Sequence, residues 1–357
     1  MDQERLRRVV SSVARYRFLT IWQIRAPIDR VFDAIYDSRR WPEWWRGVER
    51  VVELRPPDAD GLGGLTRYVW KSALPYQLTI DTTSTRIDRP FAMDGRSTGE
   101  LIGEGRWRLQ EDGGVTTVRY EWAVATTKAW MNLLAPLARP LFAWNHDVVM
   151  RQGGDGLRAL LESRPQGHPG FHPDRLAWLE AAGWRANYDR RWPRLLWLVL
   201  RLAREEFDLP WPRAIEAAYH ITKASIAWVP IDHDLDAVRR GIRRFYTVAS
   251  RYGGGLRFDP EQVAALELEY WMVHRELSGQ PEAAKGPLED VFARLHSALF
   301  GLPIEATRSS AVSRARATDT VDLITSRRSA DVELDWVRVE RYLREAYGSL
   351  AEELARR

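Results

Sequence analysis

The sequence predicts an α+β domain, in which a curved antiparallel sheet surrounds one long C-terminal helix, followed by an all-α helical domain. Up to about residue 127 apolar and polar residues mostly alternate, as they do in strands. A helical stretch from about Ala129 to Glu162 closes this half. Beyond about residue 171 every apolar pattern repeats at three and four residues, which is typical of amphipathic helices. We therefore predict domains at residues 1–162 and 173–357.

A linker at residues 163–172 separates the predicted domains. Its sequence, "SRPQGHPGF" from Ser163 to Phe171, is rich in proline and glycine, which favour irregular backbone. The order of elements before it, a run of strands and then one long helix, indicates an α+β arrangement. After it we count seven or eight predicted helices and find no internal repeat.

The composition is that of a globular protein and excludes several kinds of site. The 357 residues are 45% hydrophobic and include no cysteine, so disulfides, thiolate metal sites and a cysteine nucleophile are excluded. The net charge of +4 gives little support for a nucleic-acid partner, and we expect none. No apolar run approaches the roughly 20 residues that cross a bilayer. We therefore expect a cytoplasmic protein, and we leave open a peripheral contact with a membrane.

The alternation is clearest in the last two predicted strands. One face carries bulky apolar residues and the other carries polar ones, as in an antiparallel sheet with one solvated side. The stretch "EDGG" at Glu111–Gly114 predicts the hairpin turn between these strands. The preceding segment, residues 92–112, is long enough for two strands.

A helix that crosses a curved sheet commonly leaves a cavity between the two. Here the predicted lining comes from the inward face of the strands and from one side of the long helix. The predicted ligand-binding residues are Tyr68, Trp70, Leu78, Ile80, Trp107, Tyr120, Trp122, Leu141, Asn145 and Val149.

Four segments carry a resemblance to a known family. They are "IRAPIDRVFDAIYDSRRWPEWWRGV", "GEGRWRLQ", "TTVRYEWAV" and "WNHDVVMRQGGDGLRALLE". Through them the region from about Tyr16 to Glu162 resembles the START-like helix-grip (SRPBCC) superfamily, in its polyketide cyclase/dehydrase and lipid-transport branch. The resemblance implies a hydrophobic cavity but no particular reaction, since the family includes lipid carriers, hormone receptors, aromatic cyclases and chaperone co-factors. The helical half resembles no family that we recognise.

The segment "SRRWPEWWRGVERV" places three tryptophans within five residues. In the family that it resembles, this segment belongs to a short helix pair that follows the first strand and supports the long helix. Trp41 and Trp44 are three residues apart, so we predict that they share the buried side. Trp45 is turned by about 100° from Trp44 in a helix. We predict that Trp45 is the indole most available to a ligand, to the helical half or to solvent.

His146 is the main candidate for chemistry in the first half. It lies on the predicted long helix and could act as a general base or contact a ligand. No serine or cysteine is near it in sequence, so we favour a histidine that only packs. Because Asn145 is its neighbour, we expect only one of the two to face the cavity. With Tyr120 and Tyr68, His146 completes the set of candidate catalytic residues for a cyclase.

We expect neither a metal nor a cofactor. Glu216 with His220, and Glu267 with His274, share helix faces, but neither pair makes a complete ligand set. In "PIDHDLD", which includes His233, Asp234 is instead predicted to cap the following helix.

The stretch from Ala306 to Arg328 is rich in small residues and in charges, and it has three interpretations. It could be a buried helix whose charges pair internally, the polar wall of an anion site, or an exposed helix with ordinary ion pairs. We favour the structural interpretations over the site.

Three functions are compatible with these patterns. The leading hypothesis is that the first half binds a hydrophobic small molecule or lipid, with the helical half as a partner or effector region. The alternative is a polyketide cyclase/aromatase-like enzyme that uses the same cavity. A third hypothesis is a protein-interaction module in which the helical half contacts a protein partner.

Overall fold

The computed structural model describes residues 15–71, 77–126, 135–162, 171–232, 234–280 and 285–356. The chain forms two units, Met1–Arg164 and Pro165–Arg357. Most of the predicted linker, the predicted helix start at residues 129–134 and His233 lie outside the described residues.

The first unit contains a seven-stranded antiparallel sheet in the order β1-β7-β6-β5-β4-β3-β2. The long segment at residues 92–112 forms two strands, as predicted. The strands are β1 (Arg15–Ile24), β2 (Val48–Arg55), β3 (Leu65–Lys71), β4 (Gln77–Asp88), β5 (Ala92–Gly99), β6 (Leu101–Asp112) and β7 (Val115–Thr126).

Helices connect the first two strands and cover the sheet. Helix α1 (Ile28–Tyr36), a 3₁₀ turn (Ser38–Arg40) and the one-turn α2 (Trp41–Trp44) lie between β1 and β2. The long helix α3 (Ala135–Leu161) packs against β1, α1 and α2. This is the predicted arrangement of a curved sheet around a terminal helix.

The β6–β7 hairpin sets the inward face of the sheet. Gly113 and Gly114 turn the chain with φ angles of +56° and +77°, which glycine adopts without steric cost. The resulting register places Trp107 opposite Tyr120, and their rings stack with centroids 4.0 Å apart. Cross-strand aromatic pairs of this kind stabilise a sheet.

Glycines on α3 allow tryptophans to lie directly against its backbone. A Cβ atom on Gly153 would be 2.4 Å from the Trp45 ring, and one on Gly154 would be 2.9 Å from the Trp22 ring. Trp45 is only 1% exposed, and its Nε1 donates a hydrogen bond to the Val149 carbonyl at 2.8 Å. Gly153, Gly154 and Gly156 therefore form the surface of α3 against which the aromatic core packs.

The prediction that Trp45 is the most available indole is wrong with respect to solvent. Trp44 is half-buried, whereas Trp41 and Trp45 are both buried. The helical angle between neighbours does not apply, because α2 ends at Trp44 and Trp45 has an extended backbone with φ −103° and ψ 94°. The chain turns at Trp45 and points its indole inward.

The second unit contains eight helices within its described residues, as predicted. They are α4 (Pro173–Tyr188), α5 (Trp192–Phe207), α6 (Trp211–Trp228), α7 (Leu235–Tyr252), α8 (Pro260–Leu277), α9 (Gly286–Phe300), α10 (Ile304–Thr325) and α11 (Val332–Ala355). Asp234 caps α7, since its side chain accepts a hydrogen bond from the Ala237 N–H at 2.9 Å. Within the described residues, no helix has the length and apolar character to cross a membrane.

Helix α10, which the unusual stretch from Ala306 to Arg328 forms, is buried among the other helices. Small side chains such as Ala311 and Ser310 allow its neighbours to approach closely, and both are fully buried. Its Arg314 forms a two-pronged ion pair with Glu180 of α4, which also accepts a hydrogen bond from Tyr347 at 2.8 Å. The interpretation of a buried helix with internal charge pairs matches this arrangement.

We expect Gly153→Ala to destabilise the first unit. The added methyl group displaces the Trp45 ring, and overpacking of this kind costs about 1–3 kcal/mol, which exceeds the helix-propensity gain of ~1 kcal/mol. Urea unfolding followed by tryptophan fluorescence measures the loss. Gly348→Ala is the control, because nothing lies within 4 Å of a Cβ at that helical glycine. Stability equal to or above that of the unmodified protein in Gly153→Ala would contradict the packing described here.

We expect Arg314→Met to destabilise the second unit by about 3–5 kcal/mol, because Glu180 would keep a buried charge without its cation. Arg308→Met is the matched control on the same helix. It breaks an ion pair with Asp290 in which both side chains are more than half exposed, so the loss should be below about 1 kcal/mol. Equal losses in the two variants, measured by chemical unfolding, would show that burial does not set the strength of the first pair.

Candidate ligand cavity of the first unit

A cavity of about 180 Å³ lies between the sheet and α3. Its walls are mainly aromatic rings, contributed by the strands, by the segment before β2 and by α3. All the predicted lining residues except Leu141 face it. The aromatic lining residues are Tyr16, Phe18, Trp41, Trp45, Tyr68, Trp70, Trp107, Tyr120, Trp122 and Phe142, and the aliphatic and polar ones include Leu78, Ile80, Ser97, Asn145, His146 and Val149.

Leu141 does not line the cavity, and its prediction is corrected. Its side chain is 45% exposed, whereas its neighbour Phe142 is 8% exposed and faces the cavity. Leu141 is turned by about 100° from Phe142 around the helix, and at this level that rotation carries its side chain out of the cavity. The apolar stripe of α3 therefore runs through Phe142 at this level.

Asn145 and His146 both line the cavity, although we expected only one to do so. Helix α3 crosses a concave sheet, so the cavity extends over a broad arc of the helix surface. His146 is 8% exposed and Asn145 is half-buried.

The His146 ring lies between two aromatic rings. It stacks on Phe18 with centroids 4.0 Å apart and on Trp122 with centroids 5.8 Å apart. Among the described residues neither ring nitrogen has a hydrogen-bond partner, and the Oδ1 of the exposed Asp147 lies 3.6 Å from Nδ1. A buried polar group without a partner is uncommon in native proteins. His146 therefore places at the cavity wall two ring nitrogens that make no hydrogen bond to the described residues.

Ser97 is a second polar group that the sequence analysis missed. It lies on β5, is 3% exposed and lines the cavity, and its Oγ has no hydrogen-bond partner among the described residues. The alternation of Met93, Gly95 and Ser97 on one face of β5 could have indicated this position. The local sequence does not predict this position, because Ser97 lies far along the chain from α3. Only the order of the strands in the sheet places β5 at the cavity wall.

The two tyrosines differ from His146 in their chemistry. The Tyr68 hydroxyl donates a hydrogen bond to Ser38 Oγ at 3.0 Å. Burial raises the pKa of Tyr68 above its usual value, and burial raises the pKa of Tyr120 much further. Both phenols therefore stay protonated near neutral pH and can donate hydrogen bonds, but they are poor bases.

The arrangement suits a flat apolar molecule that carries one or two polar groups. Aromatic walls bind such a molecule by burial and stacking, while a few polar atoms orient it. In the part of the chain that the structure describes, no group of three or more histidine, aspartate or glutamate side chains is placed to hold a metal ion.

Comparison with known proteins places the first unit in a family. The model of the family described as "Polyketide cyclase / dehydrase and lipid transport" matches residues 19–162. A comparison with curated proteins found no match.

Several solved structures are similar to the first unit. The di-domain ARO/CYC BexL from the BE-7585A biosynthetic pathway has 21% identity and a TM-score of 0.36, covering 42% of this chain and 51% of that chain. TTHA0849 from Thermus thermophilus has 19% identity and a TM-score of 0.36, covering 42% of this chain and 100% of that one. The Zhui aromatase/cyclase from Streptomyces sp. R1128 has 16% identity and a TM-score of 0.36, covering 41% and 93%.

The sheet order β1-β7-β6-β5-β4-β3-β2, the helices between β1 and β2, and the long helix α3 together make the helix-grip arrangement. With the family match over the same residues, residues 19–162 belong to the polyketide cyclase/dehydrase and lipid transport family as a START-like helix-grip domain.

Proposed function

We propose that the first unit binds a compact, hydrophobic, ring-containing small molecule in the cavity between the sheet and α3. The observation that carries this proposal is a tryptophan-rich cavity in which His146 and Ser97 present buried polar atoms without partners. Such atoms cost free energy when unsatisfied, and a ligand with a hydroxyl or carbonyl group would satisfy them. The family match supports a hydrophobic ligand but does not name it.

The size of the cavity narrows the ligand class. A cavity of about 150 Å³ lined by apolar residues can hold benzene, and the cavity here measures about 180 Å³. A molecule of one or two rings fits this volume. A long acyl chain would require the walls to move apart, so we favour a ring compound over a lipid. A role of the helical unit as a partner or effector region stays a prediction.

The second candidate function is catalysis of a cyclisation or dehydration in the same cavity. The observation that favours it is the unpaired His146 ring, which could take a proton from a carbon next to a carbonyl group. Tyr120, which is protonated, would then donate a hydrogen bond to the developing oxygen anion, whereas Tyr68 could do so only by giving up its hydrogen bond to Ser38. Conversion of a poly-β-ketone thioester that persists in His146→Phe would contradict this assignment, whereas binding without conversion would leave the binding function alone.

Filling the cavity should weaken ligand binding. The test ligand is 2-naphthol, which has two rings and one hydroxyl group. Ser97→Met places a longer side chain in the cavity, and we expect it to weaken the binding of 2-naphthol by at least tenfold, measured by titration calorimetry. Thr98→Met is the matched control, because Thr98 follows on the same strand and its side chain is exposed on the other face. Equal affinities in the two variants would place the ligand elsewhere.

His146 should contribute a hydrogen bond rather than only a stacking surface. In the unmodified protein we expect 2-naphthol to bind more tightly than naphthalene. The His146→Phe variant keeps a flat ring between Phe18 and Trp122 but removes both nitrogens. It should reduce the advantage of 2-naphthol by roughly two- to tenfold, the equivalent of one hydrogen bond. An unchanged preference for 2-naphthol would assign that bond to another group, with Ser97→Ala as the next variant to measure.

A further inference from the structure

The helical unit encloses a second and larger cavity, of about 490 Å³. Every helix of the unit, from α4 to α11, contributes residues to its lining. It contains more ionisable side chains than the cavity of the first unit. They include Glu180, Arg190, Glu206, Glu267, His274, Arg275, Arg314 and Asp322.

Among the described residues, two of its carboxyl groups form no ion pair. Glu267 accepts hydrogen bonds from the Tyr246 hydroxyl at 3.1 Å and from Trp271 Nε1 at 2.8 Å, and both donors are neutral. Glu206 lines the cavity and, among the described residues, has neither a hydrogen bond nor an ion pair, although the charge of Arg314 lowers its pKa in part. Glu180, by contrast, is paired with Arg314.

The positive charges that line this cavity are already engaged or lie at its edge. Arg314 is buried and neutralised by Glu180, and Asp322 is paired with Lys285 and with His274. Arg190 and Arg275 are exposed, so solvent screens their charge. The interior of the cavity therefore contains more carboxyl groups than cations.

The pKa of Glu206 also indicates that its negative charge is poorly compensated. Burial, followed by repulsion from Glu180, raises the pKa of Glu206 to about 8. Burial also raises the pKa of Glu267. Without a ligand, Glu206 is mostly protonated near neutral pH, and an added positive charge would favour its ionised form.

The same cavity offers aromatic surfaces suited to a cation. Trp228 and Trp271 lie with ring centroids 5.7 Å apart, and both line the cavity. The Arg275 guanidinium already lies 3.8 Å from the centroid of the Trp228 ring. Aromatic faces attract ammonium groups through the ring quadrupole.

We propose that this cavity is a second ligand site, which binds an organic ammonium cation with an apolar body through Glu206, Glu267 and the surrounding aromatic rings. An anionic ligand would meet Glu180, Glu206 and Glu267 together, and it would find Arg314 already paired. The site is separate from the cavity of the first unit and does not depend on the function proposed for that unit.

The test compares three ligands of similar shape and different charge on the full-length protein. They are benzyltrimethylammonium, its uncharged carbon analogue neopentylbenzene, and the anion 3-phenylpropionate. We expect the cation to bind at least tenfold more tightly than the uncharged analogue, and the anion to bind most weakly, by titration calorimetry at pH 8. Equal or reversed affinities of the cation and the uncharged analogue would overturn the proposal.

The variant Glu206→Gln locates the site. It should remove most of the preference for the cation, while Glu305→Gln, on an exposed residue of α10 outside the cavity, should keep it. Glu206→Gln should fold, because it removes a charge that is costly to bury. Its unfolding temperature should exceed that of the unmodified protein at pH 9 and equal it at pH 4, since a raised carboxyl pKa destabilises the fold only as pH rises. A preserved cation preference in Glu206→Gln would contradict the assignment.

The pH dependence of binding provides a further readout. The titratable and charged groups around Glu206 that could contribute are Glu180, Tyr246, Glu267, Tyr270, His296, Arg314 and Tyr347. The three tyrosines and Arg314 have pKa values raised well above their usual range, and the pKa of His296 is lowered well below its own. These five groups keep their charge state between pH 6 and 9. The affinity for benzyltrimethylammonium should therefore rise with pH as Glu206 ionises, together with Glu267, whose pKa burial also raises, and the rise should be smaller in Glu206→Gln. A pH-independent affinity would contradict the role of Glu206.

Discussion

The contact between tryptophan rings and the glycines of α3 is the constraint on which the first unit depends. Gly153 and Gly154 remove the side chains that would hold α3 away from Trp45 and Trp22. Gly156 does the same for the backbone, because a Cβ there would lie 1.8 Å from the Trp44 carbonyl oxygen. The depth at which α3 lies on the sheet, and hence the volume left beneath it, follows from these three positions.

The cavity lies where the close packing between α3 and the tryptophan rings ends. Towards the carboxyl end of α3 the glycines allow tight packing, whereas His146, about two turns earlier, presents a ring and two unpaired nitrogens to open space. Trp45 belongs to both regions, since it packs on Gly153 and also faces the cavity. The aromatic residues that hold the fold together thus also form the wall of the cavity.

Strand alternation and helical periodicity were sufficient to predict the two architectures and most of the cavity wall, including Trp107 and Tyr120. What they could not supply depends on contacts between distant segments. Trp45 turns inward because α2 stops one residue before it, and Ser97 reaches the wall because of the order of the strands. The raised pKa of Glu206 depends on three helices that bring Glu180, Arg314 and Glu267 near it. No local sequence pattern encodes such an arrangement.

The most direct measurement of the central claim is a crystal structure of the full-length protein with 6-bromo-2-naphthol, in which the anomalous signal of bromine locates the ligand. The account predicts a single strong bromine peak in the first unit between Trp70, Trp107 and His146, with the hydroxyl group within hydrogen-bonding distance of His146 or Ser97. A cavity closed by collapsed side chains, with bromine bound only on the surface, would contradict it.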